Sequence, residues 1–319
     1  MAAAARHLLS VLLTVAVTAG TVGGASAAEA PKVVVSILPL HGLAAAVMEG
    51  VGRPHLLVPP GSSPHAFQLK PSEARKLQEA DIVVWVGEAL ETFLEKPLRT
   101  LPERATVVEV AKLPGVETLP PREGGVWGEH EHGPDHGGRA DHDGEIDGHL
   151  WLDPTNGQAI VRALGEILAQ RDPGNAERYR ANAASEVARI GDLDADLERR
   201  LRPVASRPFV VFHDAYHYFE RRYRLAAAGS ITVSPERQPS AKRLAALRRT
   251  IRDRGAVCVF AEPQFKAPIV ASVVEGTGAR IAMLDPIGAP PIEPGPEAYR
   301  TLLDRLARDL VGCLAGPTG

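Results

Sequence analysis

Short β-branched runs alternate with stretches of helical periodicity along this chain, and that alternation constrains the fold more than any other feature. VVVSI at 33–37, IVVWV at 82–86, FVVF at 209–212 and AVCVF at 256–260 are each followed by a segment with apolar residues at helical spacing. Such alternation builds βαβ units and largely parallel sheets. In the first half the pattern predicts strands at Lys32–Ile37, His55–Val58, Asp81–Val86 and Thr106–Val110, with helices at Gly42–Glu49 and at Ser72–Glu79, the latter capped by Ser72. In the second half it predicts strands at Phe209–Phe212, Leu225–Ala228, Ala256–Phe260 and Arg280–Leu284. Helices are predicted at Ser240–Arg254, capped by Ser240, and at Pro296–Leu314.

A chain of 319 residues exceeds the usual size of one hydrophobic core, so two units are expected. Between the halves, a helix at Asn156–Gln170 precedes a longer periodic run from Pro173 to Leu201, interrupted only by Gly191. A helix of that length is well above the mean of about 11–12 residues and suits a rigid strut. The fold class is therefore α/β: two lobes, each a mostly parallel sheet flanked by helices, joined by one long helix. The expected boundaries are 28–172 for the N-terminal lobe, 173–204 for the linking helix and 205–319 for the C-terminal lobe.

The first residues have a different character. Arg6 and His7 precede an apolar run from Leu8 to Ala19, and Ala25-Ser26-Ala27 supplies small residues at cleavage spacing. This is the pattern of a cleaved signal peptide, 1–27; the alternative is an N-terminal helix of the mature fold. The run is shorter than the about 20 residues a membrane-spanning helix needs. No cysteine lies nearby to carry a lipid, so a freely soluble periplasmic protein is expected. The net charge of −3, with both signs interspersed, gives no sign of a nucleic-acid surface. Two cysteines, Cys258 and Cys313, in an oxidising compartment form either a disulfide or two buried thiols.

Histidine placement carries the chemistry. Five of the 11 histidines fall within HEHGPDHGGRADHDGEIDGH, at His130, His132, His136, His142 and His149. The stretch has no hydrophobic period and predicts a mobile loop, 123–148. Imidazoles dense among carboxylates collect borderline-soft divalent cations, zinc before iron or manganese, with copper and nickel as competitors. His130, His132, His136 and His142 form this auxiliary set. A tight site needs ligands from ordered positions. His65 in SSPHAF, His149 in GHLWLDP, His213 in FHDAY and Asp285 in LDPIG stand mostly at or beyond the C-terminal ends of predicted strands, the edge where α/β sheets place ligands. Each taken alone is a residue that a strand end also carries for structural reasons. Three neutral imidazoles and one carboxylate would complete a tetrahedral Zn²⁺ shell.

The segments PHAFQLKPSEARKLQEADIVVWVGEALETFL, GHLWLDP, VVFHDAYHYFERRY, VFAEPQF and LDPIG, in this order and spacing, resemble the zinc-specific solute-binding proteins of bacterial ABC transporters. The resemblance runs from about Pro31 to Leu314 and includes the His-rich insert. It implies ligand roles for His65, His149 and His213; manganese-type relatives place a carboxylate at the position of His213. It leaves the fourth position to Asp285 or a water, because Pro64 occupies the site of an acidic alternative. It also implies a Cys258–Cys313 disulfide, a long helix that limits lobe motion to a small tilt, and an inner-membrane permease as partner of a monomeric carrier.

Other residues near these segments have open roles. His217, four residues after His213, reads as a rim histidine, His41 as structural or cleft-lining, and Glu262, Asp153 and Asp214 as groups that orient a ligand. A periplasmic zinc buffer, a metal-binding adhesin or a zinc hydrolase would use a similar site. The hydrolase needs a base beside a metal-bound water, and neither HExxH nor GxSxG occurs.

Overall fold

The computed structural model describes residues 29–101, 104–122, 127, 146–232, 238–265 and 268–316. The expected signal peptide 1–27 and the loop histidines His130, His132, His136 and His142 lie outside the described residues.

The N-terminal half runs β1 (Val33–Val35), α1 (Leu38–Val47), β2 (His55–Leu56), α2 (Pro71–Gln78), β3 (Ile82–Trp85), α3 (Thr92–Thr100) and β4 (Thr106–Glu109). Two helices follow, α4 (Pro154–Arg171) and α5 (Ala176–Leu201). The C-terminal half comprises β5 (Phe209–His213), α6 (His217–Tyr223), β6 (Ala227–Thr232), α7 (Ala241–Arg254), β7 (Cys258–Ala261), α8 (Pro268–Val274), β8 (Arg280–Met283) and α9 (Ala298–Leu314). Each half forms a four-stranded parallel sheet, in the orders β2-β1-β3-β4 and β6-β5-β7-β8. The protein thus has two α/β lobes with parallel sheets, joined by the long helix α5.

The two-residue period of a strand decides which layer each side chain enters. Val33 and Val35 point into a central cluster that also takes in α1, α4, α5 and α9. Val34 and Val83 point the other way, against Leu77 of α2 and Leu94 of α3. In the C-terminal lobe Phe209 and Val211 join the central cluster, while Val210 and Val259 pack against Leu247 and Ile251 of α7. The central cluster is continuous through both lobes. α5 packs along α4, and α9 lies against both α1 and α5, so the C-terminal helix contacts the first helix of the chain. Cys258 of β7 and Cys313 of α9 form a disulfide with sulfurs 2.06 Å apart. Gly191 sits inside α5, where a β-carbon would come 3.2 Å from the Gln158 amide.

Some local expectations shift. Ser72 is not a cap: α2 starts one residue earlier with Pro71 in its first turn, after Lys70, because a proline's fixed φ suits the first helical position. Ser240 does cap α7, accepting from Arg243 N. The strand expected at Leu225–Ala228 runs instead over Ala227–Thr232. It carries AAGSIT, whose glycine and serine read as a turn but are buried within the sheet. α3, α6 and α8 have no counterpart in the periodicity, each being nine residues or shorter. No described helix is long and apolar enough to cross a membrane.

Candidate metal centre

His213 is the last residue of β5, Glu262 follows β7 directly and Asp285 follows β8 closely. The C-terminal edge of the second sheet therefore presents all three. From the first lobe, His65 hangs in the loop after β2. Gly61 turns that loop at φ +78°, and its N–H donates to Gly288 O at 3.1 Å across the lobes. A β-carbon at Gly61 would meet Pro290 at 3.3 Å, so this approach needs glycine. His149 precedes a single 3-10 turn, Leu150–Leu152, at the entry to α4. Trp151 in that turn donates to Pro286 O at 2.9 Å, and Tyr299 of α9 donates to Trp151 O at 2.8 Å. The loop that carries His149 is thus fixed to the second lobe from two sides.

Three imidazoles converge between the lobes. Their ring centroids are 5.5 Å (His65–His149), 5.7 Å (His65–His213) and 5.2 Å (His149–His213) apart. One ligand nitrogen from each lies within 4.8 Å of the others, and among the described residues this is the one such group of three. His149 Nε2 and His213 Nε2 face each other at 3.3 Å.

The opposite ring nitrogens set the tautomers. His213 Nδ1 lies 2.8 Å from both oxygens of Glu262, and His149 Nδ1 lies 2.7 Å from Asp147 Oδ1. A carboxylate accepts, so each Nδ1 carries the hydrogen and each neutral ring turns a lone pair inward. With both rings neutral, two lone pairs face each other at 3.3 Å and repel; a proton on His213 Nε2, or a cation between the rings, turns that contact favourable. Nitrogens each about 2.0–2.1 Å from a tetrahedral zinc stand about 3.3–3.4 Å apart, which fits.

The electrostatics agree. Burial, followed by the neighbouring His149 and His213 rings, holds the His65 pKa well below the ordinary histidine value, so His65 stays neutral and ready to bind. Burial, the largest effect, opposes a charged His213, but Glu262 beside it, together with the charges of Asp214 and Asp147, outweighs burial and raises its pKa. The cavity is lined by Ser63, His65, His149, His213, Gln264 and Phe265 among others, and leaves about 10 Å³ open to the centre of a water-sized sphere.

Asp285 faces elsewhere. Its Oδ1 accepts from Ile287 N (3.2 Å), Gly288 N (3.0 Å) and Gln264 Nε2 (2.8 Å), and its Oδ2 from Ala289 N (2.5 Å). The structure places it as the cap of the turn after β8, outside the three-histidine group. Asp153 caps α4 through Thr155 N. Asp214 and Glu220 both pair with Arg122, whose guanidinium lies 3.5 Å from the centre of the Trp127 ring. His41 is buried and bonded to Pro54 O at 3.1 Å, a structural role. His217 lies beside the centre, 3.9 Å from Asp147. Asp147 itself, which orients His149, had one sequence signal: an acidic residue two positions before the histidine at the end of the His-rich stretch.

Two parallel-sheet lobes that converge three imidazoles on one point between them define a metal-binding protein of the two-lobed solute-binding class. The model of the family described as "Zinc-uptake complex component A periplasmic" (ZnuA) matches residues 33–313. The protein named "High-affinity zinc uptake system protein ZnuA" of Brucella suis biovar 1 is 42% identical over 97% of this chain and 99% of its own. That of Yersinia pestis is 36% identical over 88% and 91%. A solved structure titled "Crystal structure of ZnuA" superposes with a TM-score of 0.74 at 26% identity, covering 89% of this chain and 99% of that one. A ZnuA deletion mutant solved with zinc bound gives the same TM-score, 0.74, over 90% and 98%. The chain belongs to the ZnuA family.

Proposed function

We propose that this protein captures Zn²⁺ in the periplasm through His65, His149 and His213 and delivers it to an inner-membrane ABC permease for uptake. The observation that carries this is the set of three inward-facing imidazole nitrogens within 4.8 Å, two of them backed by buried carboxylates. Imidazole suits zinc, whereas magnesium, calcium and manganese favour oxygen ligands. The family relatives named as high-affinity zinc uptake proteins support the choice.

The zinc ion is cargo. Glu262 and Asp147 hold the receiving rings in the right tautomer and raise their basicity, as carboxylates behind metal-bound histidines do. Both Glu262 oxygens face the His213 ring, so that carboxylate is ill placed as the base a hydrolase needs. The central apolar cluster shared by both lobes and the α5 strut favour release through a small tilt. The protein acts as a monomer after cleavage of its leader 1–27, and the loop histidines His130, His132, His136 and His142 gather zinc more weakly.

Competition titration of the mature protein against a zinc chelator tests the reading. One tight zinc per chain is expected, lost in His65→Ala/His149→Ala. Unchanged tight binding in that double variant refutes the ligand assignment.

A further inference from the structure

Among the described residues, nothing covers the β8 edge of the second sheet. β8 is its outer strand and pairs with β7 alone. In a parallel pair one residue turns both its N–H and its C=O to the same side, and the side alternates along the strand. Arg280 N donates to Val257 O at 3.0 Å and Leu284 N to Ala261 O at 2.8 Å, so the even-numbered positions face β7. Ile281 and Met283 therefore hold their backbone donors and acceptors outward, in register for a further strand. Both side chains are also exposed, at 49% and 44%. Proteins usually blunt such an edge with a charge, a proline or a covering element. β4, an edge of the first sheet, has that protection: its outward positions are Val107 and Glu109, and Glu109 pairs with Lys112 at 2.8 Å. The outward positions of β8 carry only apolar side chains.

The two faces of β8 differ. Arg280 and Ala282 are in register with Cys258 and Phe260, on the side of the central cluster and α9, and Arg280 donates to Cys313 O. Ile281 and Met283 are in register with Val259 and Ala261, on the side of the α7 cluster. A groove of about 570 Å³ runs between the strand and α9, lined by Arg280, Arg305, Arg308 and Asp309 among others. Its charge is unbalanced, with three guanidiniums around one carboxylate. Arg305 Nε and Arg308 Nε stand 3.6 Å and 3.5 Å from Asp309, and Arg305 Nη1 is buried with no partner.

We propose that β8 and α9 form a docking site for an extended segment of another protein in which acidic and apolar residues alternate. The segment adds a strand at Ile281 and Met283. Strand addition draws affinity from main-chain bonds and specificity from alternate side chains. On one face of the added strand, side chains stand over α9 and meet Arg280, Arg305 and Arg308, which select carboxylates. On the other face they lie beside Ile281 and Met283, which select apolar groups. The free backbone and the unbalanced charge are independent observations, and together they specify one alternating pattern. None of the groove residues lines the metal cavity, so zinc binding serves as the control.

The test uses the full mature protein and a blocked, fluorescent peptide of repeated Glu-Val, with repeated Lys-Val as its counterpart; binding is read by anisotropy. The Glu-Val peptide should bind saturably, and the Lys-Val peptide more weakly by about tenfold or more, the effect of a few half-exposed charge pairs. Arg305→Gln/Arg308→Gln should cost the Glu-Val peptide about five- to tenfold on the same grounds. Ile281→Pro removes an outward N–H and leaves the bonds to β7 in place, so it should abolish binding. Both variants should hold zinc as the parent does. Equal binding of the two peptides, no saturable binding of Glu-Val up to about 1 mM, or full binding by Ile281→Pro would overturn the proposal. Should Ile281→Pro fail to fold, a Glu-Val peptide methylated at its backbone nitrogens takes its place: it should not bind, and parent-like binding would overturn the proposal. A parent that dimerises in sedimentation and turns monomeric in Ile281→Pro would make a second copy the occupant of the edge, which also overturns it.

Discussion

Replacing Glu262 by Gln separates two effects of one carboxylate. The side chain is 1% exposed, and both its oxygens lie 2.8 Å from His213 Nδ1, while Oε1 also faces His213 N at 3.3 Å. Glutamine keeps the shape and one acceptor but removes the charge. Carboxylates in this position typically support 10–100-fold of metal affinity, or about 1.4–2.7 kcal/mol. The same charge is the main one that lifts the His213 pKa above its ordinary value against burial, so in the parent a proton competes with zinc for Nε2 at less acid pH than at an ordinary histidine.

The two effects have opposite signs with pH. Parent affinity falls as pH drops through the raised His213 value, because the imidazolium has no lone pair for the metal. In Glu262→Gln the charges of Asp214 and Asp147 alone oppose burial, the His213 pKa falls, and proton competition moves to more acid conditions. The affinity gap should therefore be widest at about pH 8 and narrow towards about pH 5.5. The metal-free protein gives the matching control. A histidine with a raised folded pKa adds stability that is full below about 6.5, its unfolded value, and is lost as pH rises through the folded value. That step should vanish in the variant. Chelator competition across the pH range, alongside denaturant melts without metal, reads both. Equal affinities at pH 8, or a gap that does not narrow in acid, would refute the assignment of Glu262 as the group that orients and charges His213.

Asp285→Ala should destabilise the metal-free protein by about 1–3 kcal/mol, since backbone donors of the turn lose their acceptor. Its zinc affinity should fall by no more than about tenfold; complete loss of zinc in a variant that still melts as a folded protein would instead make Asp285 a direct ligand. Gly157→Ala should cost about 1–3 kcal/mol in thermal melting, because a β-carbon there would overlap the Tyr299 hydroxyl that anchors the Trp151 loop; a neutral effect would show that this contact yields easily. Glu91 is fully buried beside Ser36, Val86 N and Gly87 N, and burial pushes its pKa up to about 7. Its folded value exceeds the unfolded one, so stability should fall as pH rises from about 4.5 to about 7, by at most roughly 3 kcal/mol. Glu91→Gln should flatten that slope in denaturant titrations, and an unchanged slope would count against the shift.

The fold was legible where hydrophobic period and strand propensity agree. VVVSI, IVVWV and FVVF are buried from either face of a parallel sheet, and no turn residue competes with them. β6 was displaced because Gly229 and Ser230 carry little local preference for strand; their place is set by pairing with Val210 and Val211 of β5, a contact between segments that no local window contains. α3 was hidden by Pro97, which lies inside it. There the proline removes one backbone donor from a nine-residue helix whose buried residue is Leu94.

The site divides in the same way, and chemistry marks the division. Imidazoles advertise metal through residue type alone, so His65, His149 and His213 stand out in the sequence before any geometry is known. The groups behind those rings are harder to read. Glu262 is one of three carboxylates that the sequence offers as able to orient a ligand, and it is the one of those three that reaches His213, 49 residues away, a pairing no local pattern contains. Asp285 shows the converse. As an acidic residue at a strand end it looks like a ligand, yet its oxygens are drawn away by the N–H groups of the following turn. Sequence reveals which side chains are capable of holding zinc. Which of them stay free to face a shared point is decided by competition with backbone donors, and at Asp285 three N–H groups of the following turn take up the carboxylate.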